Sequence, residues 1–471
     1  MRLNNKSINL LHLINGILTF SYAVLYSTLA LFLSENLGYS KAQANSYVGI
    51  FLAYNFILHL VAGYLGGRYL SNRSLLFISS IFQIIGTYLL CISTEANLTY
   101  ALSLVILGCG INTTSLKCIL TQQFESDDNR REVAFFINYS VMNMGFLLGF
   151  FAAGYYDIHS SYMQLFYLCN IFNVLAVLFV MLGWKQYKEK QLIFSKYSFL
   201  RVAFIIVFFI GLFSCVYLGF KYFSVANVLI AIFGFLAFIY LIFQIKLTKT
   251  HKEKVDIFVF LILLMSSIIF WTLFYIGPMG LTYFLKNNVA TYLGLSIPPQ
   301  WYMNLNSIFV ITGSPVFAIV LQKLRQKGYK VSIVRQFSYA IIFIAASYLL
   351  LSLGILNANE YGYISAIWIV LHFLLQAVGE LLIAPVGYAM VGKFAPPKLQ
   401  GMMMGFWMMV SGIAASLAQY LSNLNYSDSA KPLITNSSYL VTFNNLVIYA
   451  VFFGLIFLFF SKKIEKLIVH S

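Results

Sequence analysis

Long apolar runs follow one another along this chain with little between them, and a membrane is the solvent that suits such runs. A helix needs about 20 mostly apolar residues to cross a bilayer. Runs of that kind cover 10–33, 43–66, 74–92, 98–120, 134–156, 162–183, 199–219, 224–245, 255–285, 300–321, 333–354, 363–391, 399–421 and 438–461. They predict fourteen transmembrane helices. The first run has no signal-peptide cleavage pattern and is too long for one, so it is expected to stay in the membrane. Composition agrees: 61% of the 471 residues are hydrophobic and 9% are charged, against roughly 25% charged in a soluble protein. A soluble globular enzyme, a disordered chain and a nucleic-acid binder are thereby excluded.

The charges set the orientation. Cytoplasmic loops carry an excess of Lys and Arg. Of the 30 Lys and Arg, Lys41, Lys221, Lys286 and Lys431 fall on one side, and Lys117 lies inside a span. The rest fall on the side of the N-terminus, among them Arg68, Arg73, Arg130, Arg131, Lys254, Lys323, Arg335 and Lys462. Both termini are therefore predicted to be cytoplasmic. The formal net charge of +16 then reads as a set of topology signals beside anionic lipid.

The spans group as six, two and six. Polar, basic segments at 185–200 and 246–254 isolate the middle pair. The predicted domains are a six-helix bundle over 1–184, a linker with two extra helices over 185–254 and a second six-helix bundle over 255–471. This is an all-α polytopic architecture of the major facilitator type, in which substrate binds near the bilayer midplane.

Charges at membrane depth are the first functional candidates. A charge at the centre of a spanning helix costs about 2.5–3.5 kcal/mol on insertion scales. Of the 14 acidic residues, Glu380 alone lies well inside a span, and Lys117 is the one cation there. In the functional reading Glu380 carries a proton or a substrate amine and Lys117 holds its partner charge. In the plainer reading they form a static ion pair between helices. His59 and His372 are mid-span and titrate near neutrality, so either is a relay candidate or a hydrogen-bonded packing residue. Asn143 and Asn306 are mid-span amides that suit a ligand or a helix contact equally. Pro278, Pro315 and Pro385 interrupt backbone hydrogen bonding; Gly277 with Pro278 is a candidate gate hinge, and Pro385 another. The five cysteines, Cys91, Cys109, Cys118, Cys169 and Cys215, lack metal-ligand spacing and read as small core residues.

Three stretches carry a family resemblance. They are GCGINTTSLKCILTQQFESDDNRREVAFFINYSVMNMGFLLG at 108–149, FWTLF with IPPQWYMNLNSIFVITGSPVFA within 269–318, and GELLIAPVGYAMVGKFAPPKLQGMMMGFW at 379–407. Together they resemble the proton-dependent oligopeptide transporter family, whose bacterial members also have an extra helix pair. The resemblance implies that Asn143 and Asn306 contact peptide and that Tyr139 lies one turn before Asn143. It implies that Glu380 meets the peptide's amino group and takes part in gating. Trp407 matches a cavity tryptophan and Tyr22 a first-helix tyrosine.

Departures from the family pattern limit what carries over. The charged positions of its first-helix ExxER motif fall on Asn15, Leu18 and Thr19, its seventh-helix glutamate on Tyr275, its fourth-helix lysine on Thr113 and its loop aspartate on Gly67. Lys117 lies one turn after Thr113, and positions four apart share a helix face. The expected function is secondary transport of small peptides or peptide-like, amine-bearing solutes by alternating access with H+, the protons passing through Glu380 with Lys117 and His59. Transport of another class (an amino acid, a siderophore-like metabolite, or drug efflux) and a non-transporting sensor remain open. No cofactor or metal is expected. The expected partners are substrate, protons and membrane lipid, without nucleic acid, for a monomer in a bacterial inner membrane. No mid-span catalytic constellation points to an enzyme.

Overall fold

The computed structural model describes residues 5–124, 130–187, 189, 199–291, 297–327, 332–396, 399–424 and 431–470. Loop residues 125–129, most of the basic segment 185–200, and Pro397 and Lys398 of the APP motif lie outside the described residues. In chain order the helices are α1 (Asn5–Leu31), α2 (Lys41–Leu65), α3 (Asn72–Cys91), α4 (Glu95–Gln122), α5 (Arg130–Ile158), α6 (Tyr162–Gly183), α7 (Phe199–Lys221) and α8 (Phe223–Leu247). They continue as α9 (His251–Tyr275), α10 (Thr282–Asn288), α11 (Pro299–Gln326), α12 (Ile333–Leu356), α13 (Ala366–Phe394), α14 (Gln400–Asn423) and α15 (Pro432–His470). Lipid offers no hydrogen bonds to a backbone, so apolar segments of this length must satisfy their own, and helices do so.

Among the described residues thirteen spans are long and apolar enough to cross a membrane, α9 and α10 forming one of them. Helix α11 has comparable length but is more polar, carrying Gln300, Asn304 and Asn306. With it the fourteen predicted spans are all helical. Where loops meet helices, short polar side chains cap the free N–H groups. Ser71 accepts from the Ser74 N–H at 3.2 Å, and the Asn97 side-chain oxygen accepts from the Thr94 N–H at 2.7 Å. Gly67 turns the chain between α2 and α3 with a φ of +75°, a left-handed conformation that glycine adopts without strain.

Two compact units divide the chain: Met1–Tyr39 with Ile50–Ala226, and Ser40–Gly49 with Asn227–Ser471. In the first, α1 packs on α5 and α6, and α3 packs on α4 and α6. Small residues set the α1/α5 approach. A Cβ added at Gly145 would lie 2.6 Å from the Gly16 carbonyl oxygen, and one at Gly149 would lie 2.8 Å from Ala23 Cβ. Helix α7 joins this unit through rings, with Tyr217 4.7 Å from Tyr100 and Phe209 5.6 Å from Phe82.

The second unit repeats the pattern. Its first helix, α9, packs on its fifth, α14, and on its sixth, α15. Its third, α12, packs on its fourth, α13, and also on α15. Arg335 of α12 makes a two-point ion pair with Glu465 of α15, at 2.9 and 3.0 Å. Helix α8 belongs here: Asn227 donates to Gln419 at 3.2 Å and accepts from Ser416 at 2.6 Å, both on α14. The first turns of α2 also meet α14, where Asn45 donates to Asn423 at 3.0 Å. Helices α7 and α8 are peripheral: 11% and 17% of their apolar windows are buried, against 72% for α1. That explains Cys215. It is exposed on α7 rather than part of the core that was expected for all five cysteines, and Cys118 is only partly buried.

Close packing at Gly145 and open space at Gly211 give a paired expectation. Gly145→Ala, which forces a shift in a full interface, is expected to lower stability by about 1–3 kcal/mol. Gly211→Ala is expected to be neutral or to raise it. Thermal unfolding in detergent, read by tryptophan fluorescence, checks both.

Candidate functional site

Glu380 sits midway along α13 and Asn306 in the first half of α11. The two helices pack together. Leu381 Cδ1 comes within 3.2 Å of where a Gly313 Cβ would stand. That approach brings the two polar groups together: the Asn306 amide N–H donates to Glu380 Oε2 at 2.8 Å. The Asn306 side-chain oxygen is buried and accepts nothing from the described residues. One neutral amide does not compensate an ionised carboxylate at membrane depth. An ionised Glu380 in this setting calls for a cationic neighbour, and a protonated one does not.

Below Glu380, α13 continues through Pro385. The proline lacks an N–H, so the Leu381 carbonyl loses its helical donor within a turn of the carboxylate. Pro385 lies inside a continuous helix, and it is exposed. Gly277 and Pro278 differ from it. Here α9 ends, and a wide turn over Gly277–Leu281 contains Met279 at φ −116°, ψ −110°, outside helical values. The Thr282 hydroxyl donates to the Gly277 carbonyl at 2.9 Å and replaces a bond that the turn has lost. Trp407 of α14 is buried against Gly387 of α13; a Cβ at that glycine would overlap the indole. These residues, Asn306, Glu380, Trp407, Gly277, Pro278 and Pro385, all belong to the second unit.

Tyr22, His59, Lys117, Tyr139 and Asn143 belong to the first unit, and His372 to the second. Tyr22 of α1 stacks on Phe51 of α2 at 5.9 Å and meets Phe146 of α5 edge-on at 6.0 Å. Tyr26, which the sequence did not single out, lies in the same cluster, 6.1 Å from Tyr22. Tyr139 is 42% exposed, whereas Asn143 is buried and donates to the Tyr139 carbonyl at 2.9 Å. That bond leaves the Asn143 side-chain oxygen as the group to offer a ligand.

Buried His59 of α2 lies against α4, with Nδ1 2.7 Å from the Gly110 carbonyl. A carbonyl only accepts, so Nδ1 carries the proton. Thr114 returns a bond to the His59 carbonyl at 3.3 Å. Lys117 lies three residues beyond Thr114, on the same side of α4 and partly buried. Thr113, at the position where the resemblance expects a lysine, turns its hydroxyl back to the Cys109 carbonyl at 3.1 Å. His372 of α13 is held by the Ser347 carbonyl at 3.0 Å. Among the described residues no three His, Cys, Asp or Glu gather as a metal site.

One polar group escaped the sequence reading. Asn15, at the first ExxER position, joins His12 and Asn138 in a buried network between α1 and α5. The visible signal was the spacing of His12 and Asn15 inside an apolar span, three residues apart and hence on one face.

A family model described as the POT family matches residues 73–435. Dipeptide and tripeptide permease A of Chromobacterium violaceum is 26% identical over 434 residues, covering 91% of this chain and 87% of that protein. Dipeptide and tripeptide permease B of Xenorhabdus bovienii is 27% identical over 457 residues, covering 95% and 93%. Among solved structures, a peptide transporter POT in complex with sulfate matches with a TM-score of 0.87 at 21% identity, over 98% of this chain and 95% of that one. A POT family transporter in complex with 5-aminolevulinic acid matches with a TM-score of 0.85 at 20% identity, over 97% and 96%.

The Asn306–Glu380 contact predicts an energetic coupling. Asn306→Leu and Glu380→Leu each leave a buried partner unsatisfied, while the double variant removes both. The double variant is expected to be more stable than the sum of the single losses implies, by about 1–3 kcal/mol. A double-mutant cycle on detergent melting curves measures it.

Proposed function

The chain belongs to the POT family, and we propose that it moves small peptides or peptide-like, amine-bearing solutes across the membrane by alternating access, driven by H+. It is an integral multi-pass membrane protein with the major facilitator fold. The observation that carries the mechanism is Glu380, a carboxylate at membrane depth with one neutral donor, from Asn306 at 2.8 Å. A protonated Glu380 is neutral and content there, while an ionised one calls for a cation, and a substrate ammonium group is such a cation. Proton and amine thus compete for one carboxylate, which is the elementary requirement for coupling their movements. Lys117, His59, Tyr22, Tyr139 and Asn143 contribute from the first unit in this reading, and Asn306 and Trp407 from the second. The break at Gly277 and Pro278 is the favoured hinge, and Pro385 a secondary one.

A second substrate class has a specific argument. Asn15, Leu18 and Thr19 provide no cation where the family motif has one, so a substrate carboxylate finds less positive charge on α1. Modified peptides and peptide-like amines without a free carboxylate fit that loss; separately, a fold relative has been solved with 5-aminolevulinic acid, which keeps small amino acids open as substrates. For topology, we propose cytoplasmic termini, a bacterial inner membrane and a working monomer. We also propose that residues 185–254 act as a linker module, with its first helix seated on one unit and its second on the other.

Uptake of labelled dialanine into proteoliposomes under an inward pH gradient tests the mechanism. Wild type is expected to accumulate peptide, and Glu380→Gln to lose at least tenfold of the gradient-driven rate. Gradient-driven uptake unchanged by the substitution overturns the role of Glu380. A topology test is independent of transport. Single cysteines replacing Lys41 and Lys254, in a background without native cysteines, are expected to react with an impermeant maleimide from the outside at 41 and not at 254.

A further inference from the structure

We propose that His12 is a second proton-binding site of the transport cycle, one that opens a hydrogen-bonded latch between α1 and α5 when it is protonated; the transport part rests on the function proposed above. The argument starts from a backbone carbonyl, which only accepts. Asn15 presents one side-chain atom to the Asn138 carbonyl oxygen at 3.1 Å and the same atom to the Asn138 side-chain oxygen at 3.1 Å. That atom must be the amide nitrogen, since an oxygen there would face a second acceptor. The Asn138 atom opposite it is then the oxygen, because a nitrogen would set donor against donor. The other side-chain atom of Asn138 is therefore its N–H2 group, and it lies 3.2 Å from His12 Nδ1. His12 Nδ1 is consequently the acceptor, and the neutral ring carries its proton on Nε2.

This directionality makes the network intolerant of a second proton. A proton arriving at Nδ1 meets the N–H2 of Asn138, and Asn138 cannot turn its oxygen toward it without opposing its nitrogen to that of Asn15. Water cannot readily relieve the conflict, since His12, Asn15 and Asn138 are 6%, 6% and 3% exposed. Protonation thus breaks at least one link between α1 and α5. Its place gives the break a consequence. Beyond the latch, α1 and α5 are held by close backbone approach at Gly16, Gly145 and Gly149. At the latch, polar bonds hold them.

No ionisable side chain is hydrogen-bonded to His12 among the described residues. The helices packed on α1 are α4, α5 and α6, with Phe51 of α2 against Tyr22 and Leu76 of α3 in the core cluster of Ile8, Leu11 and Ile14. The ionisable groups toward this end are Lys6 on α1 itself, His59 on α2, Arg73 on α3 with Glu189, which accepts from its backbone N–H, Lys117 and Cys118 on α4, and Arg130 and Tyr139 on α5. Those of α6, Tyr162, Tyr167 and Cys169, lie nearer its start. Tyr187, just beyond α6, packs in the core cluster of Ile8, Leu11 and Ile14. The side chains of Arg131 and Glu132 lie outside the described residues.

His12→Gln supplies an acceptor for Asn138 at every pH and takes up no proton. The first measurement is dialanine counterflow in proteoliposomes across a range of about two units around the ordinary histidine value. The ratio of the acid-side to the alkaline-side rate is expected to fall at least threefold in His12→Gln, and a ratio equal to the wild type's overturns the proposal. The second is nitrogen NMR of histidine-labelled protein in nanodiscs, with the His12 signal assigned by its loss in His12→Gln. A neutral form protonated on Nε2 that becomes doubly protonated on acidification supports the site. A neutral form protonated on Nδ1, or a ring that never titrates, overturns it. If the wild type exchanges no peptide at any pH, the function proposed above fails, and the spectrum alone then decides whether His12 is a proton site.

Discussion

The whole chain is organised by the absence of water around its middle. In hydrocarbon an unpaired polar group costs several kcal/mol, so every polar atom at depth must be bonded within the protein or reserved for something that arrives. Most are bonded in the cheapest way, back to their own helix: Thr113 to Cys109, Ser115 to Ile111 and Thr121 to Lys117 on α4 alone. Those that reach another helix mark where helices are tied, as Asn45 to Asn423 and Asn288 to Thr435. Glu380 is tied to another helix as well, but it is a charge-capable group whose hydrogen-bond donor among the described residues is the neutral Asn306 amide, and that incompleteness is why the proposed function is centred on it.

The same constraint explains why the fold was legible and the site only partly so. Spans follow from composition, because no other structure accommodates twenty apolar residues in lipid. The run 363–391 was expected to continue through Pro385, and α13 does so. The run 255–285 was expected as one span with Gly277 and Pro278 as a candidate hinge, and the end of α9 there was not foreseen: a proline marks a lost hydrogen bond, and neighbouring helices decide whether the chain bends or breaks. Cys215 was misread because an apolar run looks the same whether it faces protein or lipid. Only packing reveals that α7 lies at the edge of its unit.

For the site, depth identified Glu380, but its partner lies 74 residues away in sequence, a separation that periodicity cannot bridge. The resemblance placed Asn306 without saying what its amide holds. His12 shows the opposite failure. It lies near the start of the first span, matches no motif and was not singled out beside His59 and His372. Its significance comes entirely from which atom of Asn138 it faces, and that is fixed by a backbone carbonyl on another helix.

Loss of the ExxER motif fits this arrangement. A carboxylate on α1 in ordinary contact with a cation must stay charged through much of a cycle, and its removal leaves α1 with neutral groups that titrate or pair only locally. Asn15 keeps the position polar and spends it on α5. In the function proposed above, the competition between proton and amine falls on Glu380 in one unit, and the proposed second proton site rests on the hydrogen-bond polarity of His12, Asn138 and Asn15 in the other. The two proposed sites differ in kind: at Glu380 a proton would replace a missing charge partner, and at His12 it would displace a bond already made.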